Sequence, residues 1–266
     1  MKPTAHDRAG LARRLRAAGC VAAHEEAGEL VSAACDQDEL ERWVRRRETG
    51  EPLAWIVGRS WFCGRRVWVD PGVYVPRAQS EELARRAARL LRRRPGRAAD
   101  LCTGSGAVAH LLMAEVPGAV VVGTDADPRA VSCARRNGVA VVQGDVGGPL
   151  RSGAFDVVTA VALYVPTGAF RYLPGDVQRW EPHVALDGGA DGLEVVRRVV
   201  ADAARLLRPG GWLLTEVGGD QDRSLAVALR GQGFDADDVV TWRDEDGDLR
   251  GVAARMPPSP LSSVRT

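Results

Sequence analysis

Between residues 100 and 106 the chain reads Asp100-Leu-Cys-Thr-Gly-Ser-Gly106, an acid followed by small residues at a predicted strand end. Glycines here let the main chain approach a ligand closely, and a helix opening behind them favours a carboxylate or phosphate. Two cofactors compete for such a loop. Gly104-Ser-Gly106-Ala-Val-Ala109 satisfies the GxGxx(G/A) pattern of dinucleotide folds, with Asp125 nineteen residues beyond Gly106. Asp100, however, would face a pyrophosphate unfavourably. It suits the ammonium group of a methionine moiety whose carboxylate the loop amides hold, so S-adenosylmethionine (SAM) fits better. Asp125 would then accept from the ribose hydroxyls, and Asp145, after the third strand, would meet the adenine amino group. The expected cofactor set is Asp100, Cys102, Thr103, Gly104, Ser105, Gly106, Asp125, Asp145 and Val146. Asp145 taken alone also has a reading as a turn-forming residue after Gly144.

Those residues need strands and helices in alternation to bring them together. Strands fit 98–103, 120–125, 139–143, 155–161 and 212–217, and helices fit 107–115, 128–137, 192–207 and 223–231. That order predicts a doubly wound α/β fold with a mostly parallel sheet. Two further strands, 239–243 and 250–255, flank an acidic turn and suit a terminal antiparallel pair. Upstream, residues 5–18, 22–34 and 36–48 have helical periodicity, with Asp36 and Glu39 spaced as a helix start. From Trp55 to Pro76 the alternation reads as a β-hairpin connector, with Trp61 and Trp68 expected in the core, and a helix follows over 79–93. The expected division is 1–50 helical domain, 51–78 hairpin linker, 79–256 catalytic domain and 257–266 disordered tail.

Composition excludes several classes. With 266 residues, 45% hydrophobic and 27% charged, the chain is an ordinary globular one rather than a disordered, collagenous or coiled-coil protein. No apolar run reaches the roughly 20 residues of a membrane span. The amino terminus has no apolar leader, and the five cysteines are scattered without a CxxC pair. A cytoplasmic location, reduced thiols and no zinc site are expected. Lys2 is the one lysine among 36 basic residues, and the formal net charge is +1. The arginine runs therefore read as solvated helix faces, and no nucleic-acid or membrane partner is expected.

Further along, longer motifs carry a resemblance. Gly50-Glu51-Pro52-Leu53-Ala54-Trp55-Ile56-Val57-Gly58, the segment Val69–Arg77, Glu181-Pro182 with 185–193, and Glu216-Val217-Gly218 with Gln221 occur in one order. In these the chain resembles the HemK/PrmC-type methyltransferases, SAM enzymes that methylate the glutamine amide of peptide-chain release factors. The resemblance implies a class I SAM-dependent methyltransferase, Rossmann-like with a seven-stranded sheet, a small helical N-terminal domain and a hairpin linker. It implies SAM as cofactor and a release factor as partner.

The departures bear on the acceptor. Where the family has Asn-Pro-Pro-Tyr after the fourth strand, this chain has Val161-Ala162-Leu163-Tyr164; Cys102 replaces the first glycine of the loop, and Arg77-Ala78-Gln79 lacks the family's proline and acid. The family asparagine and a proline carbonyl accept hydrogen bonds from the amide and aim its nitrogen at the methyl. Val161 cannot do this with its side chain, although the carbonyls of Val161 and Ala162 remain and Tyr164 can pack beside a substrate. Losing one positioning acceptor costs about 2.7–4 kcal/mol, or 10²–10³ in rate. The readings that follow are methyl transfer to a nitrogen such as a glutamine amide, transfer to a small-molecule acceptor of secondary metabolism, and SAM binding without turnover. His110 and His183 are expected to be structural, and Cys102 a small filler rather than a reactive thiol.

Overall fold

The computed structural model describes residues 7–173, 175–181 and 187–259. Three short helices come first: α1 (Asp7–Ala17), α2 (Ala23–Ala33) and α3 (Gln37–Glu48). Each offers one apolar stripe, and Leu15, Leu30, Leu40 and Val44 meet in a core of their own. Asp36 caps α3 by accepting from the Glu39 amide at 2.8 Å, while the Glu39 carboxylate accepts from the Cys35 amide at 2.7 Å. Reciprocal satisfaction of orphan donors is what fixes such a helix start.

The expected hairpin begins later than its sequence pattern suggested. Leu53–Val57 forms a short helix, α4, which follows Pro52 and ends on Gly58 at φ 74°. Alternation misleads here because this segment is buried from two sides, Ile56 and Val57 against the three-helix core and Ala54 and Trp55 against Val69. The hairpin itself is β1 (Arg59–Phe62) with β2 (Arg65–Trp68), pairing Trp61 with Arg66 and Arg59 with Trp68. One face buries Phe62 and Val67. The other presents both tryptophans, 53% and 43% exposed, under the guanidinium groups of Arg66 and Arg136. Trp61 and Trp68 are therefore not core residues; stacked arginines cover them instead.

The catalytic half opens with α5 (Ser80–Arg93), then alternates through β3 (Arg97–Leu101), α6 (Ala107–Glu115), β4 (Val120–Asp125), α7 (Pro128–Arg136), β5 (Ala140–Gln143) and β6 (Phe155–Ala160). After a 3₁₀ turn (Thr167–Tyr172) and the short α8 (Gly175–Trp180) come α9 (Glu194–Leu206), β7 (Leu207–Glu216), α10 (Gln221–Gly231), β8 (Val239–Arg243) and β9 (Leu249–Arg255). The seven-stranded sheet runs β5-β4-β3-β6-β7-β9-β8, and β9 is antiparallel to both its neighbours. This is the expected Rossmann-like methyltransferase sheet. A parallel sheet must be covered on both faces. Leu83, Leu91 and Leu112 of α5 and α6 cover one face, and Val199, Leu206 and Leu225 of α9 and α10 cover the other. β7 starts earlier than expected because Leu207 already pairs with Phe155, after which the strand bulges before Trp212 meets Val157.

The chain leaves β3 in one direction to build β4 and β5, then returns to place β6 on the other side of β3. Such a switch point opens a crevice at the carboxyl ends of the two strands. Asn137, the residue after α7, ties the hairpin to that crevice. Its Oδ1 accepts from the Trp68 amide, and its Nδ2 donates to the carbonyls of Trp68 and Ser105, each at 2.8 Å. His110 is structural, as expected, with Nδ1 3.0 Å from the Asn137 carbonyl; His183 lies outside the described residues. The arginine runs on helices meet acids on the same surface, as Arg85 with Glu81 and Arg14 with Glu41 and Glu48. Of the expected tail, 260–266 lies outside the described residues.

Asn137→Ala would strand the Trp68 amide and the Ser105 carbonyl in a buried position, so it should lower unfolding free energy by about 2–4 kcal/mol. Urea denaturation measures this; a loss below about 0.5 kcal/mol would show that the clamp contributes nothing.

Candidate active site

The crevice is a cavity of about 520 Å³. β3 delivers Asp100 to its floor, 1% exposed. The two carboxylate oxygens accept from the hydroxyls of Thr103 and Thr159, each at 2.6 Å. Burial raises the acid to about 6, although both hydroxyls favour its charged form. After β3 the main chain takes positive φ at Cys102 (54°), Gly104 (56°) and Gly106 (81°). A cysteine in the left-handed region costs roughly 1 kcal/mol that the family's glycine would not. Its thiol packs on the core and is pushed up to about 12, chiefly by burial and then by Asp125 and Asp100 beside it. Cys102 is thus a neutral filler at working pH, as expected.

Gly104 and Gly106 serve the loop itself. The Gly104 amide donates to Asp125 Oδ2 at 2.9 Å and the Gly106 amide to the Thr103 carbonyl at 2.7 Å. Gly106 does not line the cavity; a Cβ there would meet Val139 at 2.9 Å and Ala134 at 3.1 Å, so it lets α6 close on α7. Asp125, at the end of β4, also accepts from the Asp127 amide at 2.9 Å, and burial raises its pKa against the opposing effect of those two amides. Asp145 lies on the rim with an exposed side chain, ion-paired to Arg198 of α9. Val146 is buried at φ 45°, its carbonyl accepting from the Thr124 hydroxyl at 2.6 Å.

Val161, Ala162, Leu163 and Tyr164 line the same cavity beyond the end of β6. The Tyr164 hydroxyl accepts from Gln79 Nε2 at 2.5 Å, and its carbonyl accepts from Gln221 Nε2 at 2.8 Å. Burial, followed by the nearby Glu216 carboxylate, raises the phenol well above its ordinary value. The structure therefore brings together every expected site residue except Gly106. Sequence reasoning missed the opposite wall, made by Phe62, Tyr74, Pro76 and Ser80, together with Arg198. The quoted Val69–Arg77 motif was the available signal, because it ends at Arg77, which stacks on Tyr74 and pairs with buried Glu181.

A buried carboxylate held by two hydroxyls, with Asp125 and Asp145 further along the same cavity, suits a ligand carrying cations rather than a pyrophosphate. Fold and site together define a class I SAM-dependent methyltransferase. The Methyltransferase domain family matches residues 99–166, which span β3 through Tyr164. A release factor glutamine methyltransferase of Geobacter sulfurreducens is 37% identical over 80% of this chain and 76% of its own. The chain belongs to the release factor glutamine methyltransferase family, and its cofactor is SAM. A 4-amino-L-phenylalanine/4-methylamino-L-phenylalanine methyltransferase of Streptomyces pristinaespiralis is 41% identical over 72% of this chain and 69% of its own. Among solved structures, the ribosomal protein L11 methylase of Lactobacillus delbrueckii subsp. bulgaricus shares the fold, with TM-score 0.50 and 17% identity over 71% of this chain and 84% of its own. No helix among the described residues is long and apolar enough to cross a membrane.

The raised Asp100 sets a pH dependence. An acid lifted from about 4 in the unfolded chain contributes stability that is present below that value and lost as pH rises through about 6. Asp100→Asn should therefore cost most near pH 4, and its penalty should shrink by about 1–3 kcal/mol by pH 8. Denaturation of both proteins at the two pH values measures this; a penalty independent of pH would contradict it.

Proposed function

We propose that this enzyme methylates the nitrogen of a small-molecule amine. Asp100 would take the ammonium group of SAM, Asp125 its ribose and the Asp145-Val146 segment its adenine. Bound SAM would supply an electrophilic methyl on a sulfonium, open to in-line displacement with a neutral thioether as the leaving group. The protein's task is then to aim one lone pair at that carbon in a dry site.

The observation that carries this reading is the apolar run Val161-Ala162-Leu163 lining the cavity beside Tyr164, where the family has Asn-Pro-Pro. An amide nitrogen has its lone pair delocalised and needs a side-chain acceptor to hold it in place. An amine keeps its own lone pair and needs to be neutral. Apolar walls from Val161, Leu163 and Pro76 disfavour the ammonium form and so favour that neutral state. The methylated nitrogen is formed as a cation and gives up its proton to solvent water, while main-chain carbonyls of the seat can accept its hydrogen bonds. The relative from Streptomyces pristinaespiralis, named for an aromatic amine, supports this acceptor class.

A second reading is the glutamine amide of a release factor, favoured by relatives of that name matching up to 88% of the chain. Incubating the protein with methyl-labelled SAM and either 4-aminophenylalanine or a release factor separates the two. The amine should be labelled at least about a hundredfold faster, the rate that a lost positioning acceptor costs an amide. Faster labelling of the glutamine would establish the second reading, and no transfer to either would sink both.

A further inference from the structure

One buried acid at this end of the sheet does not line the cavity. Glu216 closes β7, is 1% exposed, and neither carboxylate oxygen has a hydrogen bond of ordinary geometry. The Ser80 hydroxyl beside it, 2% exposed, is also unpartnered. An orphaned buried carboxyl is costly and calls for a reason. Its surroundings supply one. Ser80 and Gln79 face it from the start of α5, Tyr164 from the segment after β6, Tyr74 from the linker and Arg250 from β9. Arg250 is engaged by Asp244 at 2.5 Å, so it does not neutralise Glu216 directly.

The residues after Glu216 hold Tyr164 as well. Gln221 donates to the Tyr164 carbonyl at 2.8 Å while accepting from the Gly218 amide at 2.9 Å. Gly218 lies against the ring, where a Cβ would stand 3.6 Å from Tyr164 Cε2. The hydroxyl already accepts from Gln79, so its own proton needs an acceptor, and the Glu216 carboxylate is the acidic group facing it. We propose that Glu216 is the positioning residue of the acceptor site: from beneath the cavity its carboxylate orients the Tyr164 hydroxyl, and through it the seat of the methyl acceptor. This rests on the reading that Val161–Tyr164 seats the acceptor. Burial lifts the Glu216 carboxyl to about 7, against the smaller opposing effects of Ser80, Arg250, Tyr164 and Gln79. Across neutral pH the hydroxyl's partner therefore changes from an acceptor-only carboxylate to a carboxyl that can also donate, and the alignment of the seat weakens on the acid side.

The full-length protein labelled with ¹³C at tyrosine Cζ carries three such probes, at Tyr74, Tyr164 and Tyr172. Between pH 5 and 9 the Tyr164 resonance should move with a midpoint near 7. It should stay flat in Glu216→Gln, while exposed Tyr172 stays flat in both proteins. Glu216→Asp, which keeps the acid, should retain the transition and serves if the glutamine variant does not fold. A Tyr164 resonance that titrates identically with and without the acid, or not at all in the wild-type protein, overturns the proposal. Calorimetry with SAM should give an affinity within about twofold of wild type for Glu216→Gln, with methyl transfer reduced at least tenfold and no further loss when Tyr164→Phe is added. Loss of SAM binding with the tyrosine transition intact would fault the cofactor assignment instead.

Discussion

A carboxylate taken out of water must be compensated, and the site is organised around one such group. Asp100 sits near the carboxyl end of β3, an inner strand, where the parallel sheet and its two helical layers exclude solvent. Two threonine hydroxyls, one from the loop that follows and one from the neighbouring strand, hold its oxygens. They leave its pKa raised and the group short of a cation, which the ammonium of SAM would supply. The loop must then turn sharply through residues 102–106 to bring Thr103 back onto Asp100. That turn requires positive φ at alternate positions, and here the chain tolerates cysteine at one of them.

The proposed acceptor seat would follow the opposite principle. The side chains of Val161 and Leu163 offer the cavity no hydrogen bond, and polarity is withdrawn into the layer around Tyr164. Tyr164 is held there by its ring, carbonyl and hydroxyl, through Gly218, Gln221 and Gln79. An apolar seat on a polar foundation can be rigid without being selective for an amide. The same family architecture can therefore serve a different nitrogen once the asparagine is gone, since chemistry belongs to the site rather than the fold.

Much of this was legible in the sequence because it is local. Strand and helix periodicity placed β4 and α6 at their observed bounds, and the Asp36–Glu39 spacing marked the start of α3. Asp100, Asp125 and Asp145 were readable as strand-end acids because each lies within three residues of the end of an apolar run. Features set by distant partners were not legible. Residues 55–57 were included in the hairpin pattern, but Leu53–Val57 is an apolar run buried from two sides, which suits a helix. Trp61 and Trp68 look like core residues until Arg66 and Arg136 are seen to cover them. Glu216 was visible only as part of a motif, since Ser80, Gln79 and Tyr164 reach it from segments far apart in the chain. The pairing of Asp145 with Arg198 of α9 likewise has no sequence signal.

The central claim is that Asp100 orients SAM so that its methyl points at the seat formed by Val161–Tyr164. A crystal structure with S-adenosylhomocysteine bound tests it most directly. The account predicts the homocysteine ammonium within hydrogen-bonding distance of Asp100, the ribose hydroxyls on Asp125, and the sulfur facing the Ala162 carbonyl. An aminocarboxypropyl chain directed away from Asp100, or a sulfur on the far side of the cavity from Tyr164, would contradict it.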